Sequence, residues 1–126
     1  MRNRGIALMT ALMFISFLLV VGLAFMAMIQ MDYSFARQEE HRRQAQFLAE
    51  SGVEYYRQRP TTFTVGAAQE LSLPLGDPNH IFRITLEADG TVRSEGIYRN
   101  GTKVLAQRTL VAPQGNFAHI YDETQE

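Results

Sequence analysis

The chain has 126 residues, with twelve basic and thirteen acidic side chains and no cysteine. This length allows at most one compact domain, and the lack of cysteine excludes disulfides, thiolate catalysis and Cys-ligated metal. Charged and apolar residues are strongly segregated along the chain. Residues 5–31 carry no charge, and all six methionines lie at or before Met31. From Asp32 onward acidic and basic residues are mixed, so no clustered positive field is available for direct nucleic-acid binding.

The uncharged run from Ile6 to Met31 predicts a helix that crosses a membrane. Such a helix rises about 39 Å, which is enough for a hydrocarbon core of about 30 Å. The run is too long for a cleaved secretory signal, whose apolar region has roughly 7 to 15 residues. Arg2 and Arg4 precede the run and Asp32 follows it, so the positive-inside rule predicts a single pass with a cytoplasmic N-terminus.

The helix is expected to continue past the membrane surface, because no proline occurs between Asp32 and Arg59 and Pro60 is the first residue to stop it. Small and apolar residues recur at intervals of three and four along this amphipathic extension: Ala45, Leu48, Ala49, Gly52, Val53 and Tyr56. Such a stripe predicts a helix face that packs against a sheet.

After Pro60 the sequence predicts a loop with one short strand in the run TTFTV, followed by a three-stranded antiparallel sheet. The dipeptides Asp89-Gly90 and Asn100-Gly101 separate the strand-like runs and favour type I′ turns, in which both central residues have positive φ. In the first strand, apolar residues alternate with polar ones. In the third strand the inward direction is ambiguous, because three neighbouring residues from Val104 are all apolar or small.

Two small residues of the middle strand, Ser94 and Gly96, leave room for a helix to lie close to the sheet. The C-terminal tail is acidic and has no periodicity, so we expect it to be mobile, with Phe117, Ile120 and Tyr121 available to dock on a neighbour. The predicted fold is therefore α+β, a long N-terminal helix packed on a small antiparallel β-meander.

The predicted segments follow one another along the chain: a basic leader (1–5), a transmembrane or filament-core helix (6–31), an amphipathic helix extension (32–59), a loop with a short strand (60–79), a three-stranded sheet (80–113) and the acidic tail (114–126).

No catalytic constellation is visible in the sequence. His41, His80 and His119 lack metal-ligand spacing, and the adjacent Glu39 and Glu40 point to different helix faces, which does not suit a paired acid and base. We therefore expect no enzyme, no cofactor, no metal and no small-molecule substrate. The residues alone predict a membrane-anchored interaction protein.

The opening MRNRGIALMTALMFISFLLVVGLAFMAM and the helix AQFLAESGVEYYR resemble the minor subunits of type IV pili and type II secretion pseudopili. The run SEGIYRNGTKVLAQRTLVA is similar to the final hairpin of such minor pilins, so the fold implied is pilin-like. In that family a short basic leader ends in glycine, here Gly5. The resemblance implies that a prepilin peptidase cuts after Gly5 and methylates the new N-terminal amine of Ile6.

One position departs from the family pattern. Major pilins carry Glu at the fifth residue of the mature chain, where it is thought to pair with the N-terminal ammonium of a neighbouring subunit, and this chain has Thr10 there. Either charge alone would be costly in lipid. The departure implies a minor or tip component rather than a bulk filament subunit.

The resemblance implies a bacterial inner-membrane protein with a periplasmic C-terminal part, which later enters an extracytoplasmic filament used in pilus biogenesis, secretion or DNA uptake. The implied partners are other pilin or pseudopilin subunits, the prepilin peptidase, the inner-membrane assembly platform and membrane lipid. The alternative is a single-pass scaffold or sensor subunit that has a small extracytoplasmic β domain and keeps its N-terminus.

Overall fold

A computed structural model describes residues 2–73 and 76–124 of the chain. Its fold is α+β, with one long N-terminal helix and a five-stranded antiparallel sheet, and the predicted fold class is confirmed. Internal contacts divide the chain into two compact units, Met1–Arg37 and Gln38–Glu126.

Helix α1 comprises Arg2–Gln58. It ends one residue before the expected Arg59, because the ring of Pro60 disfavours helical geometry at the residue that precedes it. Arg59 accordingly has φ −134° and ψ 57°, and Pro60–Thr62 form a short 3₁₀ turn. The segment of α1 in the second unit, from Gln38 to Gln58, packs against the sheet through its stripe of small and apolar residues.

The sheet is a meander in which each strand pairs antiparallel with the next one in the chain. Its strands are β1 (Ala68–Ser72), β2 (His80–Leu86), β3 (Val92–Asn100), β4 (Lys103–Ala112) and β5 (Tyr121–Asp122). Two further 3₁₀ turns, Pro113–Gly115 and Phe117–His119, connect β4 to β5.

The sequence predicted a sheet of three strands, whereas the sheet has five, with β1 and β5 added at its two edges. The run TTFTV forms no strand beyond a single bridge from Val65 to Leu86, and the strand of this region is β1, in what was predicted to be loop. Gly66, with φ +80°, lies between the two segments. After it, Ala68–Ser72 pairs with β2 over its full length.

The tail also departs from the prediction, because part of it is ordered against the sheet. Tyr121 and Asp122 pair with Val111 and Leu110 of β4, and Arg93 forms an ion pair with Glu123. Acidic side chains thus hold a tail whose sequence carries no strand periodicity.

Both hairpins lie where they were predicted, but their turns are not type I′. Asp89 and Asn100 have negative φ, and only the glycines that follow them, Gly90 (φ +88°) and Gly101 (φ +61°), have positive φ. Asn100 pairs with Lys103, so the second turn is centred on Gly101 and the next residue. A glycine at the first central position is the pattern of a type II′ turn.

A β-bulge explains the ambiguous direction of β4. Tyr98 pairs with Ala106 and Arg99 pairs with Val104, which leaves Leu105 as an extra residue. The alternation of inward and outward side chains changes phase at a bulge. The apolar pattern around Leu105 therefore could not follow one face.

The core of the second unit lies between the Gln38–Gln58 segment of α1 and one face of the sheet. Leu48 and Ile84 are essentially fully buried, at 1% and 0% exposure. Burying a side chain of this size contributes about 1.5–3 kcal/mol. The core cluster consists of Leu48, Phe63, Phe82, Ile84, Val92 and Ala112.

Candidate interaction surfaces

The first candidate surface is the apolar helix, defined as Ile6 to Met31 of α1. Its large apolar side chains are between 44% and 76% exposed within the protein. An 18-residue window of α1 has a mean hydropathy of 2.7, which makes this helix long and apolar enough to cross a membrane. Exposed apolar area of this extent requires cover from lipid or from other protein surfaces.

The hydroxyls of the apolar helix are satisfied within the helix itself. Thr10 Oγ1 donates towards the carbonyl oxygens of Ile6 and Ala7, both at 3.0 Å, and Ser16 Oγ donates to the Leu12 carbonyl at 2.8 Å. Such bonds lower the cost of placing a hydroxyl in a membrane. Thr10 therefore brings no charge and no unpaired donor to this surface.

Gly5 and Ile6 lie at the N-terminal end of α1. A Cβ added at Gly5 would meet no atom within 4 Å, and Ile6 is exposed. Both residues are accessible, and packing within the chain does not require a glycine at position 5.

The second candidate surface is the seam between α1 and β3. A Cβ at Gly96 would overlap the Ala45 carbonyl oxygen and the Ala49 amide nitrogen, and a Cβ at Gly52 would overlap Ser94 Oγ. Ser94 is fully buried and donates a hydrogen bond to the Ala49 carbonyl oxygen at 2.8 Å. The expectation that Ser94 and Gly96 make room for a helix is confirmed.

The remaining stripe residues lie along the same seam. Ala45, Leu48, Ala49 and Val53 are buried, and Tyr56 packs at the end of the core. The Tyr56 ring centroid lies 5.1 Å from that of Phe63 and 6.1 Å from that of Phe117, and offset aromatic pairs at these distances are favourable. The chain's own helix and sheet fill this seam, so its role is to stabilise the fold.

The third candidate surface is the charged face of the sheet. Arg83 bridges Glu70 at 2.9 Å and Glu95 at 3.3 Å, and Arg93 pairs with Glu87 at 3.1 Å and with Glu123. The carboxylate of Glu70, followed by that of Glu95, raises the pKa of Arg83. In the same way Glu123 and Glu87 raise the pKa of Arg93.

A cluster that sequence reasoning missed surrounds Tyr98. The ring centroids of His41 and His80 lie 5.3 Å and 4.8 Å from that of Tyr98, and His80 Nδ1 is 2.7 Å from Asp77 Oδ2. The Asn79 backbone N–H, followed by His80, lowers the pKa of the Asp77 carboxyl.

Two sequence signals would have located this cluster. His41 precedes Ala45 by four residues and so lies on the same helix stripe, and His80 is directly opposite Tyr98 in the β2–β3 register. His119 lies in the last 3₁₀ turn. Across the described residues, no three His, Cys, Asp or Glu side chains are arranged to hold a metal ion.

Comparison of the chain with family models, with curated proteins and with solved structures finds no match. The fold and its surfaces define a helix-on-meander α+β protein with one helix able to cross a membrane.

Proposed function

We propose that the protein is a non-enzymatic minor pilin or pseudopilin subunit, which assembles through its apolar helix into a type IV pilus-like filament or primes that filament. The observation that carries the proposal is the uncharged apolar helix, whose side chains are exposed along its whole length. When the protein is in the membrane, lipid covers this surface. When it is in a filament, the helices of neighbouring subunits cover it.

The charge pattern supports one orientation in the bacterial inner membrane. Arg2 and Arg4 stay in the cytoplasm, and the unit that begins at Gln38 lies in the periplasm before it enters the filament. Pilus biogenesis, secretion and DNA uptake are all systems that use such a subunit.

The glycine at position 5 supports processing by a prepilin peptidase. Gly52 and Gly96 are needed because helix and strand approach closely, whereas the space around Gly5 is open. The resemblance gives this glycine a role in recognition by the peptidase, and the open space around it leaves the bond to Ile6 accessible. The product then begins at Ile6, which carries the methylated amine.

Thr10 supports a role at the start of assembly. Its side chain is a neutral hydroxyl bonded to carbonyls of its own helix. A neutral group cannot supply the negative charge that would neutralise the terminal ammonium of a subunit above it. Only a subunit placed first has no subunit above it to neutralise. The protein therefore primes filaments at the tip, in a few copies each.

Labelling of sheared filaments tests this role. We expect label at one end of each filament, and deletion of the gene is expected to reduce the number of filaments without changing their stiffness. Thr10→Glu is the informative variant, because it restores the carboxylate of a bulk subunit and should allow label along the shaft. Even decoration by the unaltered protein would refute the tip role, and Thr10→Glu would then change little.

A further inference from the structure

The outer edge of β4 is only partly covered by the tail. β5 pairs with Leu110 and Val111, and the last main-chain contacts are at Thr109, whose carbonyl accepts from the Glu123 N–H at 2.9 Å and whose N–H donates to Thr124 Oγ1 at 3.1 Å. Among the described residues, no strand pairs with this edge from Lys103 to Arg108.

The open part of the edge presents main-chain hydrogen-bonding groups. The N–H and C=O groups of a strand alternate in direction, and those of Thr109 face the tail, so those of Gln107 face the same way. Such an edge is a template for one more extended segment. The occupant that suits it is a peptide in strand conformation.

Basic side chains set the charge of this edge. Arg108 and Arg93 are held by the tail carboxylates of Asp122 and Glu123. Arg42 of α1 makes no ion pair with any carboxylate that the structure describes, and it lines a groove beside β4. That groove is formed by Gln38, Arg42, Leu105, Ala106, Gln107, Arg108 and Thr124. The charge of the edge therefore favours an acidic segment.

The tail covers only the part of this edge from Thr109 to Val111 and makes few main-chain contacts there. Its strand has two residues, and Tyr121 is 48% exposed. The ion pairs that hold it are partly exposed, so the carboxylates of another segment can replace them. The connection to β4 contains Gln114 at φ +50°, a conformation that non-glycine residues rarely adopt.

We propose that the outer edge of β4 is a docking site for an extended acidic segment of a partner protein, which adds as an antiparallel strand in place of the chain's own tail. The tail shows the required chemistry, because adjacent carboxylates reach Arg108 and Arg93 while the main chain bonds to Thr109. The proposal concerns the second unit alone and stands whether or not the protein enters a filament.

A fluorescent peptide with the sequence of residues 117–126 tests the site on the full chain in detergent micelles. The resident tail is weakened by the isosteric changes Asp122→Asn and Glu123→Gln, which remove two of its charges and leave Phe117 packed against the core. We expect this double variant to bind the peptide about tenfold more tightly than the unaltered chain, as expected for the loss of charged contacts from the competing tail. Chemical shifts of the Gln107 and Thr109 amides should move on binding.

Arg108→Gln in the same background should weaken peptide binding about tenfold. Arg83→Gln is the matched control, because it removes the same charge from the same sheet at a distance from β4, and it should leave binding unchanged. The proposal is overturned if the double variant binds no peptide, or if Arg83→Gln weakens binding as much as Arg108→Gln. Tail-dependent dimers in light scattering would instead assign the edge to a second copy of the chain.

Discussion

At the scale of single residues, the contact between α1 and β3 depends on the absence of side-chain atoms. Gly96 lies against the backbone of Ala45 and Ala49, and Gly52 lies against Ser94. Ser94 uses the resulting proximity to bond the Ala49 carbonyl. A helix cannot approach a strand this closely if either glycine carries a side chain. Protein interiors are close-packed, so the neighbouring buried atoms have no free volume to move into.

Gly52→Leu is therefore expected to destabilise the protein. Its Cβ would overlap Ser94 Oγ, and the rest of the side chain would press on Phe82, so overpacking should lower the free energy of unfolding by about 1 to 3 kcal/mol. Thermal unfolding of the full chain in detergent, followed by near-ultraviolet circular dichroism, measures the loss.

The matched control is Gly22→Ala, since a Cβ at Gly22 would meet no atom within 4 Å. It should leave the transition of the second unit unchanged. If Gly52→Leu were as stable as the unaltered chain, the seam between helix and sheet would not be as tight as the contacts at Gly52 require.

At the scale of elements, the tail strand β5 is held by ionised side chains as well as by its backbone. Burial alone would raise the pKa of the Asp122 carboxyl, but bonds from Thr124 and the ion pair with Arg108 outweigh it and hold that pKa below its ordinary value of 3.8. A lowered pKa means that the carboxylate stabilises the folded state above the ordinary value. This stabilisation is lost as the pH falls through the pKa of the folded state.

We therefore expect β5 to detach in acid before the rest of the sheet. Between neutral pH and 3.8 the Glu123 amide should keep the chemical shift of a hydrogen-bonded group, and below 3.8 it should move towards the value of a solvated amide. Nuclear magnetic resonance of the full chain in detergent follows this change. The variant Asp122→Asn should have a partly detached tail at every pH. If its tail stays attached at neutral pH, the Asp122 carboxylate does not hold β5.

The elements that sequence reasoning predicted are those specified by local patterns. The interval of three and four residues from Ala45 onward marks the helix face that the sheet covers, and the two hairpins follow from Asp89-Gly90 and Asn100-Gly101. Local patterns also located the approach of helix and strand, because Ser94 and Gly96 are small residues within an otherwise regular strand.

The elements that it missed depend on distant partners. β1 lies in a segment rich in loop-forming residues and becomes a strand because β2 offers a paired edge. β5 has only two paired residues, and Arg93 and Arg108 hold its neighbourhood from strands that are remote in sequence. His41 lies on the predicted helix stripe, but its contact with Tyr98 also depends on how far along β3 the helix lies.

At the scale of the whole molecule, the chain combines an exposed apolar surface, which is unfavourable in water, with a unit that has its own core. The apolar helix has no charge and exposes its side chains, whereas the unit from Gln38 onward buries a compact cluster. A single-pass scaffold or sensor would share both features. The pilin-like function that we propose differs from that alternative in the fate of the N-terminus.

Mass spectrometry of the mature N-terminus tests this central proposal most directly. In cells with an active prepilin peptidase we expect the protein to begin at Ile6 with a methylated amine, and Gly5→Ala should be cut in part. A bulky residue, as in Gly5→Trp, should leave the chain uncut, because the peptidase requires a small residue before the cleaved bond. A chain that still begins at Met1 in those cells would contradict the pilin-like function and favour the anchored scaffold or sensor.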